Sequence, residues 1–185
     1  MVRLIFLTIL LTSVHSIAQE VTKGERKGLI QATGTIYPVK SLNTSNAYYY
    51  LNGHTSIYFD NHFSFRGDLW AKKVKQTTDI VSETKIEFST LYHYNIKRFS
   101  TFGGIGTGLG VFRSPTLSSE QFIPSLSLII GEQFHVNDYF YFFLDAHLFF
   151  RKDVNFINWN NEITASGGLG FQFPFWKKKY AKKLS

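Results

Sequence analysis

Residues 139–151 read YFYFFLDAHLFFR, and this stretch decides the fold. Side chains alternate between the two faces of a β-strand. One face therefore carries Phe140, Phe142, Leu144, Ala146, Leu148 and Phe150. The other face carries Tyr139, Tyr141, Phe143, Asp145, His147, Phe149 and Arg151. Large apolar side chains with aromatic residues at both ends suit lipid better than water, so the charged face is expected to point into a barrel. The pattern predicts one strand of a transmembrane β-barrel.

The chain divides into three regions. Arg3, the apolar run at 4–11 and the small-residue site Ser16-Ile17-Ala18 have the order of a secretory signal peptide, which we expect over 1–18. A barrel domain is expected over 19–176 and a basic periplasmic tail over 177–185. The tail holds five lysines, Lys177, Lys178, Lys179, Lys182 and Lys183. Because these account for most of the net charge of +7, the barrel is nearly neutral, and nucleic acid is not expected as a partner.

The composition excludes several classes of protein. The chain has no cysteine, which rules out disulfides, thiolate catalysis and cysteine-bound metals. The mature part has no apolar run of about 18 residues or more, so no transmembrane helix is predicted. A membrane location would therefore require a closed barrel, in which every backbone group pairs with a neighbouring strand.

Eight segments have strand periodicity: 28–37, 48–59, 63–72, 84–94, 99–112, 122–134, 139–151 and 163–176. Longer polar loops (38–47, 73–83, 113–121 and 152–161) alternate with short turns. This predicts a monomeric, eight-stranded, antiparallel, up-and-down transmembrane β-barrel in the lipids of the cell outer membrane, with its short turns in the periplasm.

Three local features are also predicted. Pro38 should end the first strand. A bulge near Gly131 should take Glu132 off the apolar face of its strand. The glycines at 104, 106, 108 and 110 should form a bare inner wall that leaves room for arginine or tyrosine side chains from facing strands.

The chain resembles the small outer-membrane barrels of the OmpA and OmpX type, especially those of gliding and gut-type, Bacteroidetes-like, Gram-negative bacteria. The resemblance lies in the eight-strand pattern, the stretch 102–106, the turn 136–138 and the last strand. It implies recognition by the barrel-assembly machinery through a signal of the form polar-x-Gly-x-x-aromatic-x-aromatic. Ser166, Gly168, Phe171 and Phe173 fill these places. Most members end on the final aromatic residue, whereas this chain continues through Phe175 and Trp176.

The inward faces carry a candidate polar network of Arg66, Asp68, Lys85, Glu87, Asp145, His147 and Arg151, with Lys72, His54 and His93 beside it. The lumen of an eight-stranded barrel is just wide enough for side chains to fill it. Buried charges must then be paired and hydrogen-bonded. We therefore expect a packing network with no catalytic residue, no cofactor and no metal, in a protein with a structural or surface-interaction role. The external partner is not identified.

Two alternatives remain open. His54 with Ser56, and Asp145 with His147, could serve an enzyme that modifies outer-membrane lipid, as a lipid A acyl hydrolase or transferase does, although any long barrel strand offers such pairs. A soluble lipocalin-like barrel would need an apolar lumen.

His54 and His62 lack metal-site spacing. Aromatic residues at strand ends are read as interfacial girdles: Tyr48, Tyr49, Phe59, Phe63, Tyr92, Tyr94, Phe112, Phe134, Phe175 and Trp176.

Overall fold

The computed structural model describes residues 26–43, 47–76, 79–113, 120–152 and 158–174, with only the backbone described at 73–76, 79–81 and 174. The expected signal peptide and basic tail lie outside the described residues, as do Phe175 and Trp176. Among the described residues, no helix is long and apolar enough to cross a membrane.

Eight strands make up the barrel. They are β1 (Leu29–Ser41), β2 (Ala47–Tyr58), β3 (Phe63–Gln76), β4 (Asp79–Ile96), β5 (Phe99–Arg113), β6 (Gln121–His135), β7 (Phe140–Arg151) and β8 (Glu162–Pro174). Each strand pairs antiparallel with the next, and β1 pairs with β8 to close the sheet. The predicted eight-stranded, antiparallel, up-and-down barrel is confirmed.

The strands alternate between buried and exposed side chains, as predicted. On β7, Asp145 and His147 are buried while Phe142 and Leu144 are more than half exposed. The predicted phase of this strand is therefore correct. Tyr139 is the exception, because it lies in the turn before β7 and is exposed rather than inward-facing.

Two predicted strand ends are wrong. Pro38 lies inside β1, and the predicted loop at 73–83 is mostly strand, because β3 and β4 continue as a hairpin in which Val74 pairs with Val81. Pairing of β3 with β2 ends at Ala71, so the hairpin is no longer flanked by β2 beyond that point. Backbone pairing there needs no apolar face, so hydrophobic alternation did not reveal it.

The predicted bulge near Gly131 is also wrong. β6 keeps one register with β5 over residues 121–134 and one register with β7 over residues 125–135. Gly131 instead makes room for inward packing: a Cβ there would lie 2.4 Å from the ring of Phe102 and 2.7 Å from Cβ of Asp145. Glu132 stays on the outer face, half-buried, three residues from the end of β6. Near a strand end its carboxylate can reach the polar interface.

The glycines of β5 do form an open inner wall, but small and acidic side chains occupy it. A Cβ at Gly106 would lie 2.4 Å from Oγ of Ser89, 2.5 Å from Oγ of Ser127 and 2.8 Å from Oε1 of Glu87. These groups belong to the adjacent strands β4 and β6. The expected arginine or tyrosine side chains are not the nearest neighbours.

Pairing between β1 and β8 is interrupted at residues 33–38 and 165–170, here called the seam gap. Side-chain hydroxyls bridge it. Thr164 Oγ1 donates to the carbonyl of Pro38 (2.6 Å), Ser166 Oγ to that of Ile36 (2.8 Å) and Thr33 Oγ1 to that of Leu169 (3.3 Å). Proline is tolerated here because no ladder bond at this position requires its missing N–H.

Tight turns close one end of the barrel, here called the turn end; the opposite end is the loop end. Asp60 accepts hydrogen bonds from the backbone amides of His62 (2.6 Å) and Phe63 (2.7 Å). These amides hold the pKa of Asp60 below its usual value. Asn137 caps the β6–β7 turn in the same way, accepting from the amides of Tyr139 and Phe140.

Candidate functional site

The middle of the lumen is organised around Arg66. Its Nε donates to both carboxylate oxygens of Asp68 (3.1 and 2.9 Å), and its Nη2 donates to Oδ1 of Asp68 (2.8 Å). Its Nη1 donates to Oδ2 of Asp145 (2.6 Å), and the hydroxyl of Tyr37 donates to Oδ1 of Asp145 (2.5 Å). One buried guanidinium therefore holds two buried carboxylates from β3 and β7 together.

Neutral and weakly basic groups complete this middle tier. Asn52 Nδ2 donates to Oδ1 of Asp68 (3.1 Å), and His54 Nδ1 lies 3.9 Å from the same oxygen. His147 Nε2 lies 3.7 Å from Oδ2 of Asp145. The structure thus brings together four residues of the candidate polar network: Arg66, Asp68, Asp145 and His147.

A second ion-pair tier lies toward the loop end. Arg151 donates to Glu83 of β4 and to Glu162 of β8, and Lys72 Nζ lies 3.0 Å from Oε2 of Glu83. The hydroxyl of Tyr48 donates to Glu162. Tyr48 therefore lies inside this tier rather than in an interfacial girdle, because it shares the inward phase of Tyr50.

Sequence reasoning missed Glu83 and Glu162. Glu83 was placed in a loop, although continuing the alternation of Lys85 and Glu87 by two residues would have put it on the inward face. Glu162 lies one residue before the predicted start of the last strand.

Lys85 and Glu87 lie between the two tiers. Lys85 Nζ is 3.7 Å from Oε2 of Glu87 and 3.0 Å from the ring centroid of Phe149. It also faces Trp70, whose ring centroid is 5.0 Å away. Oε1 of Glu87 accepts a hydrogen bond from Ser127 (2.5 Å). This lysine therefore faces one carboxylate and the faces of two aromatic rings, each of which attracts a cation.

Glutamine and tyrosine side chains are hydrogen-bonded to one another in the lumen toward the turn end. Gln31 Nε2 donates to Gln172 (3.2 Å), Gln133 Nε2 donates to Gln31 (3.2 Å), and the hydroxyl of Tyr58 donates to Gln133 (3.0 Å). These residues could not be singled out from the sequence, because a lone glutamine on a strand has no distinctive pattern.

Among the described residues, the serine and histidine side chains of the lumen do not form an arrangement of nucleophile, base and acid. No hydrogen bond joins Ser56 to His54 among the described residues. Ser64 Oγ does lie 2.8 Å from Nε2 of His93, but Nδ1 of His93 faces Ser100 (3.2 Å) rather than a carboxylate. A nucleophilic serine needs a base oriented by a third group, commonly an acid, and access to substrate. Ser64 and His93 are both buried in the barrel interior.

A metal site is likewise not found. Within the described part of the chain, no group of three or more histidine and acidic side chains could hold a metal ion.

The residues of the expected assembly signal all lie on β8. Phe171 and Phe173 are exposed on the outer face, and Phe171 sits between Ala32 of β1 and Phe140 of β7. Ser166 and Gly168 are half-buried at the seam gap. Recognition by the assembly machinery remains a prediction.

The exterior carries an apolar band. Every strand contributes at least one large apolar side chain that is about half exposed, such as Ile36, Leu51, Leu69, Ile86, Ile105, Leu128, Phe142 and Leu169. A charged interior with an apolar exterior is the reverse of a soluble barrel. The lipocalin-like alternative is therefore not favoured.

Solved structures match the fold of this chain. Neisserial surface protein A superimposes with a TM-score of 0.62 at 16% identity, over 83% of this chain and 100% of that one. The outer membrane protein OprG from Pseudomonas aeruginosa gives 0.59 at 12% identity, over 83% and 99%. Ail, the attachment invasion locus protein of Yersinia pestis, in complex with the heparin analogue sucrose octasulfate, gives 0.53 at 18%, over 82% and 100%.

The fold is that of a small outer-membrane barrel. The cell outer membrane is the location that its apolar exterior fits, and none of the three proteins is named as an enzyme. No protein-family model matches the chain, and no curated protein sequence matches it. The expected Bacteroidetes-like origin remains an expectation.

Proposed function

We propose that this protein is a monomeric, integral outer-membrane barrel with a sealed lumen and a structural or surface-interaction role. The observation that carries the proposal is the packing of the lumen. Arg66, Asp68 and Asp145 at mid-height, and Arg151, Glu83 and Glu162 toward the loop end, are almost completely buried and bonded to one another. A lumen filled in this way leaves no aqueous path through the barrel. Any interaction with a partner is therefore made at the loop end or the turn end.

The membrane assignment is tested by fractionation and by gel migration. We expect the protein in the outer-membrane fraction, with a folded band that migrates differently before and after boiling, because a closed strand ladder resists detergent until heated. Recovery as a soluble periplasmic protein would refute the assignment.

We propose that the loop end faces the exterior of the cell and the turn end faces the periplasm. The chain has no native cysteine, so single cysteines can be labelled selectively. Trp159→Cys at the loop end and Asp138→Cys at the turn end form a matched pair, since both positions are exposed. A membrane-impermeant maleimide should label Trp159→Cys in intact cells and Asp138→Cys only after lysis. The opposite result would invert the topology.

We propose that the protein has no lipid-modifying activity. The support is the lack of a carboxylate behind His93 and of a hydrogen bond between Ser56 and His54, noted above. Mass spectrometry of lipid A and phospholipids should give the same acyl content for wild type, Ser56→Ala, Ser64→Ala and a deletion strain. An acyl change shared by the deletion strain and either serine variant would establish an enzyme instead.

A further inference from the structure

Arg26 is a buried cation with no counter-ion among the described residues. Its exposed fraction is 8%, and its Nη1 atom is buried with no hydrogen-bond partner. Among the described residues, no carboxylate forms an ion pair with it. The cations of the other lumen tiers, by contrast, each have a carboxylate within ion-pair distance. A buried guanidinium that lacks a partner is costly.

The position of Arg26 is fixed by its backbone. Its amide donates to Oδ1 of Asn61 in the β2–β3 turn (2.7 Å), and its carbonyl accepts from the amide of Leu29 (2.8 Å). Gly28 N in turn donates to the carbonyl of Tyr58 (2.9 Å). The guanidinium lies against the hydroxyl of Tyr58. These bonds place the cation at the turn end of the barrel.

The surroundings of Arg26 are basic or neutral. The charge of Arg26 acts on the rings of His93 and His135, which lie nearby. The described inward-facing side chains at this end include glutamines, tyrosines, serines and histidines, but no carboxylate: Gln31, Tyr58, Ser64, His93, Ser100, Gln133, His135, Tyr141 and Gln172. The carboxylate of Asp60 is exposed and is used by its own turn.

A second unpartnered nitrogen lies in the same compartment. His135 Nδ1 is 2.7 Å from Oε1 of Gln172, whose Nε2 donates to the carbonyl of Asn137. Because Oε1 can only accept, Nδ1 of His135 is the donor. Nε2 of His135 is then left buried without a partner. While the ring is neutral this nitrogen is an acceptor, and only protonation would make it a second donor.

We propose that the turn end of the barrel binds a small oxyanion of the phosphate class, with Arg26 as its principal ligand. Such an anion would supply the missing acceptor for Nη1 and balance the charge. A guanidinium binds phosphate well because its N–H groups form a planar fork. The phosphate could be free in solution or belong to a lipid headgroup, and the two sources share this chemistry.

The test uses the folded full-length barrel in a maltoside detergent, which contains no phosphate. Calorimetric titration with inorganic phosphate is compared at constant ionic strength with titration of micelles containing a short-chain phosphatidic acid. Saturable binding of inorganic phosphate indicates a site for the free anion. Saturable binding of phosphatidic acid alone indicates a site for the lipid headgroup. Absence of both would refute the proposal.

Substitutions at Arg26 and Lys27 test which side chain binds the phosphate. Arg26→Gln should weaken binding by about tenfold or more, because it removes a charged donor. Lys27→Gln is the matched control, since it removes an adjacent but exposed cation, and it should bind like wild type. An equal loss in both variants would mean that phosphate is attracted only by general surface charge. Arg26→Lys, which keeps the charge but not the fork, should give intermediate affinity and provides a measurement if Arg26→Gln does not fold.

A carboxylate of the chain itself is the competing occupant. Glu25 precedes Arg26 in the sequence. If Glu25→Gln binds phosphate and wild type does not, the chain's own carboxylate fills the site and the proposal is wrong. If both bind phosphate with similar affinity, the site is open to an external anion, as proposed.

Discussion

Replacing Arg66 with methionine removes the group that joins two strands through the lumen. The guanidinium makes three hydrogen bonds to Asp68 and one to Asp145, all within a fully buried tier. Losing it leaves two carboxylates near each other with no cation between them. Breaking a buried ion pair by deleting one partner costs about 3–5 kcal/mol. Because two carboxylates lose their partner at once, we expect a loss near the upper end of that range.

The loss should be measured as the free energy of unfolding in urea, with the barrel folded into phospholipid vesicles and monitored by tryptophan fluorescence. Arg113→Met is a matched control, because Arg113 forms an ion pair with Glu120 (2.6 Å) that is exposed to solvent. Such surface pairs contribute about 0–1 kcal/mol. Adding Asp68→Asn to Arg66→Met should recover part of the loss, since one unpaired carboxylate disappears. Equal stabilities for Arg66→Met and Arg113→Met would refute the view that this tier holds the lumen together.

Three further perturbations test the exterior, the packing of β6 and the barrel closure. Leu128→Arg places a charge within the apolar band and should lower the free energy of unfolding by about 2–4 kcal/mol in the same assay. Phe122→Arg, on the same face near the loop end, should lower it by only about 0–1 kcal/mol. Similar losses would mean that no lipid band surrounds β6. Gly131→Ala should destabilise the barrel by about 1–3 kcal/mol because the added Cβ would overlap the Phe102 ring. Gly53→Ala should be nearly neutral, because its added Cβ would lie 3.8 Å from its nearest neighbour. Equal stability of the two variants would favour the bulge near Gly131 instead. Backbone amides of β1 and β8 that point across the seam gap should exchange with deuterium faster than those of the fully paired β4–β5 ladder in an NMR exchange experiment. Uniform protection would show that the β1–β8 ladder is continuous.

The residues that sequence reasoning placed correctly are those whose burial repeats every two positions. The alternation along β7 fixes which side chains meet lipid, and Asp145, His147 and Arg151 follow from it. Which charges then pair across the lumen depends on how the eight strands are staggered, and a local pattern contains no information about that. Arg66 could be placed in the lumen from the sequence, but its two partners could not be distinguished from the other inward acids.

The wrong predictions of strand ends and of a bulge fall where the backbone pairing does not follow the alternation of apolar and polar side chains. The β3–β4 hairpin continues beyond the pairing with β2 through residues 72–76 and 79–83, because hydrogen bonding between two strands does not require an apolar face. Pro38 sits inside β1 because the seam with β8 is bridged by hydroxyl groups rather than by a complete ladder. Glu132 stays on the outer face without a bulge because it lies near a strand end.

The central claim is that paired side chains seal the lumen, and ionic conductance tests it most directly. Purified wild-type protein should be inserted into planar lipid bilayers, with a water-filled porin inserted under the same conditions as the positive control. We expect no persistent channel from the wild-type barrel, because the tiers around Arg66 and Arg151 fill its cross-section. A steady ohmic conductance from the folded wild-type protein would contradict the sealed lumen.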